Sequence, residues 1–228
     1  MGQDKIWDVF QNEYKESFLG GIGRLKAIVK LIRPRQKVLN IGIGAGIFEE
    51  LALERGIDFY ALDPNSKTVA EIGRGLELGS KAQVGLVSAM PFADAMFDAV
   101  VMSEVIEHLS VDEVEVSLRE VHRVLAVGGR LIGTVPARED LRKQISVCPN
   151  CGHQFHRWGH AQSFDLTKMR STLERLFEIE MLEHRFLPSW SVMNWKAKLE
   201  TAVLCMFRML GVELTNENIL FVAVKRSG

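Results

Sequence analysis

Short apolar runs and amphipathic stretches alternate along this chain. "KVLNIGI" (37–43) is an apolar run entering a glycine turn, and "IFEELALERG" (47–56) follows with apolar positions at helical spacing as far as Gly56. "DFYALD" (58–63) predicts a second strand and "SKTVAEIGRGLEL" the helix after it, with a third strand near 81–87. "FDAVVMS" (97–103) is almost wholly apolar, the pattern of a strand buried on both faces. The helical pattern "VDEVEVSLREVHRVL" (111–125) runs into "VGG", after which "RLIGTVP" (130–136) is the fifth strand. A helix near 165–177, a strand near 178–186, a helical segment within 190–210 and a last strand, "NILFVAVKR" (218–226), complete the series. Ahead of it all, residues 5–33 read as one or two helices broken at "GGIG" (20–23). Such alternation predicts a doubly wound α/β fold with a mostly parallel seven-stranded sheet.

Composition narrows the picture without changing it. With 228 residues, 47% hydrophobic and 25% charged, the chain can bury one substantial core. It is read as a single domain, 1–228: an N-terminal helical cap (1–35), a core (36–136), a Cys/His insert (137–164) and a C-terminal part (165–228). A net charge of −1 argues against nucleic-acid binding by bulk electrostatics. The N-terminal stretch has no apolar run of the secretory kind, and no apolar segment reaches the ~18 residues of a membrane span. Three cysteines, two of them in a CxxC pair, suggest a reducing compartment, and a cytoplasmic location is expected.

Candidate chemistry begins at "NIGIGAG", where Gly42, Gly44 and Gly46 lie between the first strand and its helix. Glycines there let the backbone turn sharply and let a ligand approach closely. Asp63 ends the second strand, where a carboxylate can accept both hydroxyls of a ribose. A plain structural turn and a helix-capping Asp63 are the competing readings. Together the two features indicate a nucleoside cofactor. The third glycine comes one residue too early for a dinucleotide fingerprint, and no lysine follows to make a P-loop.

Four segments, "VLNIGIGAGIF", "ALDPN", "MPFADAMFDAVVMSEVIEHL" and "VHRVLAVGGRLIGTVP", resemble the class I S-adenosylmethionine-dependent methyltransferases, specifically the type 11 branch. The resemblance covers roughly residues 36–136 and implies a Rossmann-like methyltransferase fold with S-adenosylmethionine as cofactor. It further implies that Gly42 and Gly44 border the methionine part, with Asp63 at the ribose and Pro64 or Asn65 along the adenine edge. Ser103 and Glu104 would face the methyl-donor region. Two positions depart from the family pattern. Asn40 stands where an acid is usual, and Leu86 where the third-strand loop often carries one, leaving adenine to backbone groups and to Leu86, Val87 and Met90. Alignment and desolvation supply most of the catalysis in such a transfer. If the acceptor is a hydroxyl, Glu104, Glu107 and His108 are the candidate bases.

The stretch "CPNCGHQFHRWGH" (148–160) is unlike the rest. Read as C-x2-C-x4-H-x3-H, it offers Cys148, Cys151, His156 and His160 as a closed tetrahedral zinc (Zn2+) set resembling a retroviral-type knuckle. His153 is the alternative fourth ligand, since "HAQSF" also matches a loop motif of the methyltransferase branch; a redox CxxC is the third reading. The expected role is a stapled loop at the carboxyl edge of the sheet, presenting Phe155, Arg157 and Trp158 to the acceptor. An apolar stripe within 189–211 predicts core or a homodimer surface, with contact to a hydrophobic acceptor as the other reading.

The expectation is therefore a methyltransferase acting on a small-molecule or glycan-type acceptor. The alternative is a methyltransferase-like binding protein that holds a partner through its knuckle.

Overall fold

The computed structural model describes residues 3–214 and 216–226. Strands are β1 (Lys37–Ile41), β2 (Asp58–Asp63), β3 (Ala82–Val84), β4 (Phe97–Ser103), β5 (Leu125–Pro136), β6 (Ile145–Val147), β7 (Gln154–His156), β8 (Phe177–Arg185) and β9 (Asn218–Lys225). Helices are α1 (Gln3–Glu13), α2 (Ile22–Leu31), α3 (Ile47–Glu54), α4 (Ser66–Gly75), α5 (Val111–Val124), α6 (Leu166–Leu173) and α7 (Trp195–Met209). A 3-10 segment, Lys15–Gly21, joins α1 to α2 where the glycines predicted a break.

Seven strands form one sheet in the order β3-β2-β1-β4-β5-β9-β8. Neighbours from β3 through β5 pair in parallel, while β9 runs antiparallel to both β5 and β8. Alternate residues of each strand feed opposite faces, as the period of two requires. Leu39, Val100 and Met102 pack toward α5 through Val114, Leu118 and Val121. Val38, Ala99 and Val101 point the other way, onto Ile28 and Val29 of α2 and Phe48 of α3. Phe97 breaks the alternation and joins the α5 face, because the β4–β5 register shifts between Phe97 and Ala99.

Helix entries follow local chemistry. The hydroxyl of Ser110 accepts the Glu113 N–H, and the Glu113 carboxylate accepts the Ser110 N–H at 2.7 Å, a reciprocal box opening α5. Asn65 caps α4 by accepting from the N–H groups of Lys67 and Thr68. The connections leaving β1 and β4 diverge to opposite sides of the sheet. A crevice therefore opens at the carboxyl ends of these two strands, the usual ligand site of doubly wound folds.

Two expectations are corrected here. The fifth strand begins at Leu125 rather than 130, since the chain leaves α5 directly into extended backbone. Of the readings of the apolar stripe within 189–211, core is the one overturned: Trp190, Trp195, Met206 and Phe207 are exposed, and Thr201 is the buried residue of α7. No helix among the described residues is long and apolar enough to cross a membrane.

Candidate active site

A cavity of about 950 Å3 occupies the crevice, at the upper end of the ~300–1,000 Å3 typical of small-molecule sites. Its floor is the turn after β1. Gly42, Ile43, Gly44 and Ala45 line it, with Asp63, Pro64 and Asn65 beside them and Leu86 and Val87 from the loop after β3. Ser103, Glu104 and His108 line the far end, together with Glu139, Trp158 and His160. Over the top lies the N-terminal segment, contributing Trp7, Phe10, Gln11, Phe18 and Arg24. Sequence reasoning placed a helical cap here without assigning it to the site.

Asp63 is buried and aimed at the turn. Its Oδ2 accepts from the Ile43 N–H at 2.9 Å and from Gln11 Nε2 at 3.1 Å, and Oδ1 accepts from the Asn65 N–H at 2.8 Å. Burial raises its pKa; the hydrogen bonds from Asn65, Ile43 and Gln11 oppose that by favouring the ionised form. Asn40 is buried beneath the same turn. Its amide Nδ2 donates to Glu49 Oε1 at 2.7 Å, and its Oδ1 could accept from a ligand. Glu49, missed in the sequence because it looked like one more charge on an amphipathic helix, thus stands directly behind Asn40. Burial raises its pKa to about 7.

Gly44 has φ +58, and a Cβ there would lie 3.1 Å from the Phe18 ring, so a side chain would narrow the cavity floor. Gly46 does not belong with it. A Cβ on Gly46 would meet Ile72 Cδ1 at 2.4 Å, so this glycine permits α3 to pack on α4 and faces away from the cavity. Met90 is likewise buried in the core beneath the loop rather than on the cavity wall.

At the far end Glu104 sits at φ +57, a conformation a non-glycine residue adopts at a cost of roughly 1–2 kcal/mol. Three contacts hold it: its N–H donates to the Thr134 carbonyl at 2.9 Å, Asn218 Nδ2 donates to its carboxylate at 3.1 Å, and Arg24 lies 3.8 Å away. Arg24 also donates through Nε to Ser103 Oγ at 2.9 Å. Glu107 does not reach the cavity surface; it is buried behind it, and burial followed by the nearby Glu104 charge pushes its pKa well up. His108 does line the cavity, and its Nδ1 meets the Gly159 carbonyl at 3.2 Å. Burial, then the neighbouring His160, lowers its pKa to about 4.

The Cys/His insert is corrected most. β6 and β7 form a hairpin in which Ile145 faces His156 and Val147 faces Gln154. The cysteines sit at its tip, where the Cys148 N–H donates to the His153 carbonyl and Gly152 closes back on Cys148. Backbone at Cys151 and Asn150 holds the Cys148 thiol below its ordinary range. His156 lies about three strand positions back, roughly 10 Å at ~3.3 Å per residue. Among the described residues, His156 and His160 group with Glu139, and no such group includes a cysteine. The four predicted ligands therefore do not converge. His160 Nδ1 is hydrogen-bonded to Glu139 Oε2, and burial, then His156, takes its pKa to about 4. Of the three side chains expected to face an acceptor, Trp158 lines the cavity, whereas Phe155 stacks on His153 and Arg157 lies over the Trp158 ring.

A doubly wound sheet with one reversed strand, a glycine turn and an acid closing β2 is an arrangement shared with α/β folds that bind nucleoside cofactors. Comparison makes the class particular: residues 39–133 match the family model described as a methyltransferase domain. Over 99 residues the chain is 34% identical to a demethylmenaquinone methyltransferase of Renibacterium salmoninarum, covering 43% of this chain and 40% of that protein. A demethylmenaquinone methyltransferase of Beutenbergia cavernae is 28% identical over 132 residues, 58% of this chain and 48% of that protein. The chain thus spans less than half the length of these curated relatives. The fold also matches that of a Burkholderia thailandensis 1,6-didemethyltoxoflavin-N1-methyltransferase solved with S-adenosylhomocysteine, with a TM-score of 0.63 and 15% identity over 100% of this chain and 92% of that one. Residues 39–133 thus resemble a methyltransferase domain in sequence, and the chain shares its fold with solved methyltransferases.

Proposed function

We propose that this protein transfers a methyl group from S-adenosylmethionine to a small, flat, largely apolar organic acceptor. The observation that carries this reading is one continuous cavity running from the Gly42–Gly44 turn and Asp63 to an aromatic-walled end at Trp7, Phe10 and Trp158. Aromatic walls suit a ring-shaped acceptor better than a glycan, whose hydroxyls need many polar partners. The matched relatives, named for a quinone precursor, agree with that chemistry. In this reading Asp63 takes the ribose hydroxyls, which requires Gln11 to release its carboxylate, and Asn40 accepts from the methionine amino group. Pro64, Leu86 and Val87 flank the adenine. Ser103 and Glu104 border the sulfonium, where Arg24 balances the Glu104 charge.

A sulfonium methyl needs chiefly alignment and dry surroundings, worth up to ~7–11 kcal/mol. The N-terminal cap supplies both, closing over the cavity through the Trp7–His108 and Phe10–Trp158 contacts. The alternative of a binding protein without turnover rests on Asn40 and Leu86, two positions where the family pattern usually has an acid. Glu49 weakens the first of these grounds because it places an acidic side chain behind the Asn40 amide. Calorimetry with S-adenosylhomocysteine tests the reading: saturable binding is expected, reduced roughly 10–100-fold in Asp63→Asn by loss of one charged hydrogen-bond acceptor. Undetectable binding by the unaltered protein would refute it.

A further inference from the structure

We infer that Glu107, His108 and His160 form a binding site for a divalent first-row transition-metal ion, opening onto the acceptor end of the cavity. One donor atom from each residue lies within 4.8 Å of the others. An ion with bonds of ~2.1 Å holds its ligands roughly 3–3.5 Å apart, so a small inward movement of side chains seats it.

Glu107 is 1% exposed, yet neither of its carboxylate oxygens has a hydrogen-bond partner. A buried carboxyl group left unsatisfied on both oxygens is costly, and a cation is the partner that relieves it. The imidazole hydrogen bonds point the same way. His108 Nδ1 faces the Gly159 carbonyl oxygen at 3.2 Å. A carbonyl only accepts, so Nδ1 carries the proton and Nε2 keeps its lone pair. His160 Nδ1 faces the Glu139 carboxylate, which fixes the same tautomer. A ring N–H tied to a carbonyl or carboxylate, with the other nitrogen free to ligate, is the outer-layer arrangement of metal-bound histidines.

The backbone holds these groups together independently. The Glu107 carbonyl accepts from the N–H groups of Ala161 at 2.8 Å and Gln162 at 3.1 Å. That pair pins the loop carrying His160 against the turn carrying Glu107 and His108. His156 belongs to the supporting layer. Its Nδ1 accepts from the His160 N–H at 3.0 Å, so the neutral ring holds its proton on Nε2, which faces Glu139 at 3.6 Å.

Two imidazoles and one carboxylate suit Fe2+, Mn2+, Co2+ or Zn2+ rather than the soft-thiolate or all-oxygen preferences of other ions. Three protein ligands leave coordination positions open. Because His108 and His160 line the cavity, those positions face the acceptor, where a water or an acceptor oxygen completes the shell. This site shares His160 with the predicted zinc set but none of its cysteines.

The test is titration of the chelator-treated full chain with Co2+, read by visible absorption. Saturable d–d bands are expected without a thiolate-to-cobalt charge-transfer band, unchanged in Cys148→Ser/Cys151→Ser and lost in Glu107→Gln and His160→Gln. Glu139→Gln, which disturbs only the supporting layer, should weaken Co2+ binding ~10–100-fold. For variants that fold poorly, the unaltered protein gives a second readout by NMR. Co2+ should shift the exchangeable Nδ1–H protons of two imidazoles far outside the diamagnetic range. Absence of d–d bands at saturating Co2+, or a charge-transfer band that vanishes in the cysteine variant, overturns the inference. The readout needs neither cofactor nor acceptor, so it fails or succeeds separately from the methyl-transfer reading.

Discussion

Glu49 offers the sharpest quantitative prediction. It sits on α3 fully buried, with Oε1 bonded to Asn40 Nδ2 and Oε2 without a partner. Burial is the largest influence on it and raises its pKa from 4.5 to about 7. The native state therefore holds this proton more tightly than the unfolded chain does. Stability from Glu49 is complete below about pH 4.5 and drains away as the pH climbs to about 7. The loss amounts to about 3 kcal/mol, at roughly 1.4 kcal/mol for each tenfold difference in proton affinity.

Glu49→Gln preserves the shape and an acceptor for Asn40 but cannot ionise. Its stability should match the parent near pH ~4.5 and exceed it by about 3 kcal/mol near pH ~8. Urea unfolding of both proteins at the two pH values measures this, because every other titrating group is common to the pair and cancels in the difference. A gap between the proteins that stays constant with pH would refute the reasoning, since it would mean that Glu49 titrates alike in the folded and unfolded chain.

Two further outcomes follow from the geometry. Gly46→Ala places a Cβ 2.4 Å from Ile72 Cδ1 at φ +81, and thermal melting should show destabilisation by about 1–2 kcal/mol. Its affinity for S-adenosylhomocysteine should be unchanged, because the site lies on the other side of the turn. Trp158→Ala should raise the acceptor KM on the order of tenfold, the loss of ~1–1.5 kcal/mol of aromatic contact, while leaving cofactor affinity intact. Equal losses for cofactor and acceptor would place Trp158 in the fold rather than in the acceptor wall.

Residues 36–136 were largely legible because their signals are local. Strand periodicity, glycines at a turn that demands left-handed backbone and an acid at a strand end each depend on near neighbours in sequence, and the structure brings Gly42, Gly44 and Asp63 to one cavity as read. Gly46 was misassigned for a related reason: spacing groups the three glycines, but only packing shows that the third faces Ile72. The cysteine and histidine spacing misled similarly. Thirteen adjacent positions can close on one ion or extend along a hairpin, and the β6–β7 register chose the hairpin.

The sequence by itself determined the alternation of strands and helices through residues 36–136 and the glycine turn facing a strand-end acid, because hydrophobic period and backbone sterics act over a few residues. Only the tertiary structure decided that Glu49 backs Asn40, that Gln11 reaches Asp63 from 52 positions away, and that His160 meets Glu139 and His108. Those pairings join segments far apart in the chain. Burial sets their protonation and their partners, and burial exists only once the sheet and its cap have closed.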